Sequence, residues 1–436
     1  MKPSVVTRLS LALTLAMPLV APAAELVIAT VNNGHMITLQ GLSHEFEEAN
    51  PGVKLRWVTL DEESLRQQVA TDIATRAGRF DVLTIGALEA PIWGRKGWLA
   101  PIQPDVAWQV DDLLPTVRSA LTVDGKLMAA PFYGESSMTM VRSDLLDKAG
   151  IKLPSQPTWA QIQDAAARMH NPKQGVYGIC LRGKAGWGAN ITLITTMVNT
   201  HGGQWFDMKW QPQLTTRPWK DAVSLYADLL RKYGPPAAVA NNYNENLTLF
   251  TEGKCAIWVD ATVAGGFVDN PKRSKVAGKV AFLHAPVAST PKGASWLWVW
   301  SLAVPNSSRQ QPQAQAFVRW ATSKAYLQRV AATQGWGAVP GGTRRSTYAN
   351  PAFRQQARHA AIEEEAIAKA DPRDSTLPKS PYVGIQFVTI PEFQSIGTAV
   401  GQQLASLLTD PGTVDEALAR SQALVVRRMK ESDTPR

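Results

Sequence analysis

Three apolar strand-like runs alternate with two helix-like stretches at the start of this 436-residue chain, and that alternation limits the fold more than any other feature. The runs are ELVIATV (Glu25 to Val31), VKLRWVTL (Val53 to Leu60) and FDVLTIG (Phe80 to Gly86). Between the first two, Leu39, Leu42 and Phe46 recur at helical spacing until ANPG stops the pattern. After the short loop DEE, Leu65, Val69 and Ile73 mark one face of a second helix, which Gly78 closes. Strands separated by helices pair in parallel through right-handed crossovers, so the reading is an α/β fold with a parallel sheet. Open sheets of this kind take ligands beyond the carboxyl ends of their strands. The rule selects three loops: Asn32 to Met36, Asp61 to Glu63, and Gly86 to Glu89.

A second α/β region follows. It holds MTMV, a helix opened by a Thr158/Gln161 capping box, VYGICLR, a helix from about Asn190, a Pro218-led helix ending at Gly234, and the strands CAIWVD and KVAFLHAP. Next comes SWLWVWSLAVP, where a strand's alternation points Trp296, Trp298 and Trp300 to one face and Leu297 and Val299 to the other. Such an indole face is either core packing or a wall for a flat-faced ligand. The C-terminal part reads as helices over Ala352 to Ala370, over Pro391 to Asp410, and from a Thr413/Glu416 cap onward. No linker interrupts the chain, which is long enough for two lobes with interwoven crossings.

The formal net charge of +9 is dispersed among acids, so no nucleic-acid face is expected. MKPSVVTRLSLALTLAMPLVAPAAELV combines Lys2 and Arg8 with an apolar run and the small-residue pattern APA, the form of a secretory signal peptide cleaved after Ala23 or Ala24. The product is expected in the periplasm. Cys180 and Cys255 pair if their strands are neighbours, and otherwise remain buried thiols. No nucleotide-binding loop, nucleophile elbow or zinc-protease motif occurs, and the six histidines lack metal-ligand spacing. No cofactor or metal is therefore expected. A hydrolase using Glu135 and Asp260 as acid and base stays as the enzyme alternative.

Several segments, in order, resemble the extracellular solute-binding proteins of bacterial ABC importers, the family of the maltose-binding protein, and most nearly its sorbitol- and mannitol-binding members. They are TVNNGHMITLQGLSHEFEEANPGVKL, TDIATRAGRFDVLTIGALEAPIWGRKGWLAPI, APFYGESSMTMVRSDLLDKAGI, FTEGKCAIWVDAT, SWLWVWSLAVPNSS and IPEFQSIGTAVGQQL. One departure is Val141 and Arg142, where the wider family has Tyr followed by Asn or Asp. The resemblance implies the two-lobed periplasmic-binding-protein fold, type II, with a ligand cleft between the lobes. The N-terminal lobe would take 24–131 and 285–338, and the C-terminal lobe 132–284 and 339–436. Hinges would fall near Ala130 to Tyr133, His284 to Pro286 and Gly337 to Pro340. It also implies a monomeric, non-enzymatic receptor that hands a sugar alcohol, or a mono- or oligosaccharide, to a membrane permease.

A linear polyol presents hydroxyls that both donate and accept, on an apolar C–H backbone, so its host pairs aromatic faces with carboxylates, amides and guanidinium groups. The expected ligand residues are Asn33, His35, Glu63, Glu89, Tyr133, Glu135, Arg182, Trp187, Asn190, Asp260, Trp296, Trp298 and Trp336. Asn33 is also a turn former, Arg182 equally fits a structural salt bridge, and Trp336 equally fits packing. Trp300 is assigned to the core.

Overall fold

The computed structural model describes residues 24–410 and 412–432. The signal-peptide segment lies outside them. Among the described residues twelve strands occur in order: β1 Ala24–Val31, β2 Val53–Leu60, β3 Val82–Ile85, β4 Leu99–Ala100, β5 Thr122–Val123, β6 Lys126–Leu127, β7 Ala130–Glu135, β8 Ser137–Arg142, β9 Tyr177–Cys180, β10 Cys255–Ala261, β11 Val280–His284 and β12 Trp298–Pro305. The first two runs read from the sequence form β1 and β2, and β3 lies inside the third.

The first sheet has the order β2-β1-β3-β12-β4, with β7 also pairing β12. β1 pairs β2 and β3 in parallel, as strand-helix alternation requires. The sheet is nevertheless mixed, because β12 joins antiparallel to β3, β4 and β7. The parallel pairing expected of the first three strands holds, and what local crossovers do not show is that β12 joins them antiparallel. The second sheet runs β11-β8-β10-β9, with only β9 and β10 parallel, and β5-β6 is a separate hairpin.

Two local signals transfer directly. Thr158 and Gln161 form a reciprocal capping box on the helix Trp159–Met169, and Thr413 and Glu416 do the same for Val414–Lys430. Two expectations change. Glu62 and Glu63 are helical rather than loop residues, because Asp61 caps the helix Glu62–Thr75 by accepting from the Ser64 amide at 3.2 Å. The single helix expected over Ala352 to Ala370 is broken into Pro351–Gln356 and Ala360–Lys369. Cys180 and Cys255 are disulfide-bonded, since β9 and β10 are neighbours. Among the described residues no helix is long and apolar enough to cross a membrane, and no cluster of metal-ligating side chains occurs.

Candidate functional site

Register places the cavity wall. β12 lies antiparallel to β7 with Trp298 opposite Glu135 and Trp300 opposite Tyr133, and residues directly opposite share a face. That face lines a cavity of about 190 Å³, together with Trp296 from the segment entering β12 and Trp187 from the glycine-rich loop after β9. Trp300 lies in the core as assigned, 5% exposed, and lines the cavity as well. Its side chain follows the two-residue period that aims all three indoles one way.

The wall is braced by Arg66, itself a lining residue. Its Nη1 donates to Glu89 at 2.6 Å and its Nη2 to Glu62 at 2.8 Å. The guanidinium carbon stands 3.9 Å from the Trp187 ring centroid, 4.9 Å from that of Trp298 and 5.1 Å from that of Trp300. Cation–π contact in a dry setting strengthens this arrangement. Burial opposes the charge, but Glu89 and Glu62 override it and raise the pKa of Arg66. Two glycines permit the packing. A Cβ on Gly86 would lie 1.9 Å from the Trp298 ring, and one on Gly188 would lie 2.2 Å from the Glu62 carboxylate.

Beside Trp296, whose ring centroid is 5.6 Å from its guanidinium carbon, Arg182 is bound by Asp260. Its Nε donates to both Asp260 oxygens at 3.1 and 3.0 Å, its Nη2 to Oδ1 at 2.6 Å, and its Nη1 to the Gly188 carbonyl at 2.8 Å. Burial again opposes the charge, and the Asp260 carboxylate outweighs it to raise the Arg182 pKa. Glu135 is buried at the cavity, and among the described residues no donor reaches its carboxylate. Burial pushes its pKa well above the ordinary range. Arg182 opposes that shift, while Asp260, Glu62 and Glu363 add to it. Burial also raises Glu63, against the pull of Arg66. Among the described residues, the buried indole N–H groups of Trp187 and Trp296 and the Tyr243 hydroxyl have no hydrogen-bond partner.

Of the residues expected from the sequence, the structure brings Asn33, Glu63, Tyr133, Glu135, Arg182, Trp187, Trp296 and Trp298 to one cavity. Asn33 does two things. Its Oδ1 caps the helix Gly34–Leu42 by accepting from the Met36 amide, and its Nδ2 donates to the Tyr133 hydroxyl at 2.9 Å. Five others do not line the cavity. His35 is buried between the rings of Tyr133 and Phe267, and burial, with a smaller push from His359, lowers its pKa to about 3. Glu89 supports Arg66 and accepts from the Gly86 amide at 2.9 Å. Asn190 donates to the Gly401 carbonyl and accepts from the Gly186 amide. Asp260 is fully buried, its oxygens taken by Arg182, the Trp258 indole N–H and the Ala261 amide. Trp336 sits in a short 3₁₀ turn after the helix Lys324–Gln334 and packs against the core. With Asp260 so committed, it cannot pair with Glu135 as a hydrolase acid and base.

Sequence reasoning missed Arg66, Tyr243 and Gln386, which also line the cavity, and reached Glu62 only as part of the loop Asp61 to Glu63. Glu62 and Arg66 at i, i+4 on a helix were a readable signal once DEE is taken as helical. Gln386 had none. It pins the start of the indole strand by donating to the Leu297 carbonyl at 2.8 Å.

Residues 33–328 match the family described as bacterial extracellular solute-binding protein. The mannitol-binding protein of Pseudomonas aeruginosa is 52% identical over 424 residues, 97% of either chain. The chain belongs to the bacterial extracellular solute-binding proteins. A solute-binding protein of this kind from Agrobacterium vitis, an ABC-transporter component solved with bound D-mannitol, is 52% identical and superposes with a TM-score of 0.93, over 95% of this chain and 100% of that one. A maltose-bound T. maritima protein, MalE3, shares the fold with a TM-score of 0.78 at 17% identity, over 93% of this chain and 100% of that one. The solute-binding protein described here thus has the periplasmic-binding-protein fold with two mixed sheets. It belongs to a non-enzymatic, extracellular family.

Proposed function

We propose that this protein is the receptor of an ABC importer, capturing a sugar alcohol of the mannitol type in the periplasm and delivering it to a membrane permease. The observation that carries the reading is the 52% identity and 0.93 TM-score, over 95% of the chain, to a protein solved with D-mannitol bound. The cavity supports it. The Glu135 carboxylate suits hydroxyl protons, and the rings of Trp296, Trp298 and Trp300 suit the C–H backbone. A space of about 190 Å³ favours a small cargo over an oligosaccharide.

In this reading the ligand closes two lobes, 24–131 with 285–338 and 132–284 with 339–436, because only the closed arrangement lets both contact it. Contacts between the halves support the division. The Asn244 side-chain amide donates to the Asn32 carbonyl at 3.0 Å, and Arg66 lies over Trp187. Within the second lobe the Gly134 amide donates to the Gly341 carbonyl at 3.1 Å, joining its two segments. Titration calorimetry of the purified protein with D-mannitol, sorbitol, arabitol, glucose and maltose is the test. One-to-one binding of a polyol, tighter than either sugar, is expected. Heat with maltose alone, or with none of the polyols, would remove the reading.

A further inference from the structure

We propose that the same cavity accepts a second, cationic class of ligand: amino-polyols, in which one hydroxyl of the carbon chain is replaced by an ammonium group. The inference rests on the polyol reading above and comes from a count of which charges are already spoken for. Although the chain carries a formal net charge of +9, five carboxylates line the cavity against three cations. Both guanidiniums are taken, Arg66 by Glu62 and Glu89, and Arg182 by Asp260 and the Gly188 carbonyl. Lys184 is exposed and makes no ion pair among the described residues, lowering the Asp61 pKa only from a distance.

Of the carboxylates lining the cavity, Glu135 is the buried one, 6% exposed and without a donor among the described residues. A buried carboxylate without a partner is costly, and an ammonium on the ligand supplies the counter-charge and a charge-assisted hydrogen bond at once. The indole faces beside it add attraction for a cation. A sugar acid meets the reverse. Its carboxylate finds no uncommitted guanidinium and confronts Glu135, so the cavity ranks ligands by charge, with cation and neutral accepted and anion refused.

Three ligands on one carbon skeleton separate these outcomes: D-mannitol, 1-amino-1-deoxy-D-mannitol and D-mannonate, titrated at neutral pH into the wild-type protein and Glu135→Gln. The amine is expected to bind within about tenfold of mannitol or more tightly, and mannonate at least about tenfold more weakly than both. Glu135→Gln keeps the shape and removes the charge. It should weaken the amine about tenfold more than it weakens mannitol. Mannitol binding without amine binding, mannonate binding as well as the amine, or equal losses in the variant would each overturn the inference while leaving the polyol reading intact. Amine binding without mannitol binding would instead remove the neutral-polyol reading, and with it the inference of a second class. Binding of none of the three would end both. Should the variant not fold, the wild-type ranking alone decides.

Discussion

Arg66 shows how one side chain can govern a site without being recognisable as part of it. Its partners are Glu62, one helical turn away, and Glu89, Trp187 and Trp298, all distant in sequence. Arg66→Met keeps much of the stem but leaves Glu62 and Glu89 without their cation. We expect a loss of roughly 3–5 kcal/mol in urea unfolding and a weaker mannitol titration. Gly86→Ala places a methyl against the Trp298 ring, so it should cost about 1–3 kcal/mol and push the indole into the cavity, lowering affinity in the same assay.

A third residue makes stability depend on pH. Glu363 is buried where Tyr348 and Thr262 donate to its two oxygens, and burial lifts its pKa from 4.5 to about 7 against those hydrogen bonds. Between those values the folded protein holds a proton that the unfolded chain releases, so this group's contribution to stability falls as pH rises and levels off above about 7. Glu363→Gln should gain on the wild type by on the order of 2–3 kcal/mol between pH 5 and pH 8, read from urea midpoints. His35 and His359, whose pKa values are lowered, oppose this trend in both proteins and cancel in the difference.

Pairs of strands, rather than single ones, build the walls. β7 and β12 present Tyr133, Glu135, Trp298 and Trp300 only because their register sets each residue opposite its partner. The alternating tryptophans were legible as a shared face, but which strand would face them was not. β9 and β10 are the other pair. The first leads into Arg182, the second carries Asp260, and the disulfide ties them together. Closing a loop of 75 residues restricts the unfolded chain. Replacing both cysteines with alanine should lower unfolding stability by roughly 4 kcal/mol, measured without reductant, and the variant's midpoint should not respond when reductant is added. The helix Glu62–Thr75 marks where pattern reading stopped short. Its Asp61 cap was visible in the sequence, yet three successive acids read more easily as a loop than as a cap and first turn.

For the molecule as a whole, binding and folding are linked, since a ligand held only by the folded protein adds its binding energy to stability. At a hundredfold excess over the dissociation constant, mannitol should add about 2.7 kcal/mol, visible as a raised thermal midpoint, and mannonate at the same concentration should add far less. Strand and helix periodicity, the caps and the indole stripe were determined by the sequence alone, because they depend on neighbours within a few residues. That local information sufficed for the α/β class and for most of the aromatic and acidic wall. The antiparallel return of β12, the pairing of Cys180 with Cys255, and the withdrawal of Asp260 and Glu89 behind their arginines were decided only by the tertiary structure. A buried charge takes whatever counter-charge the fold brings within hydrogen-bond reach, and a sequence does not display that distance.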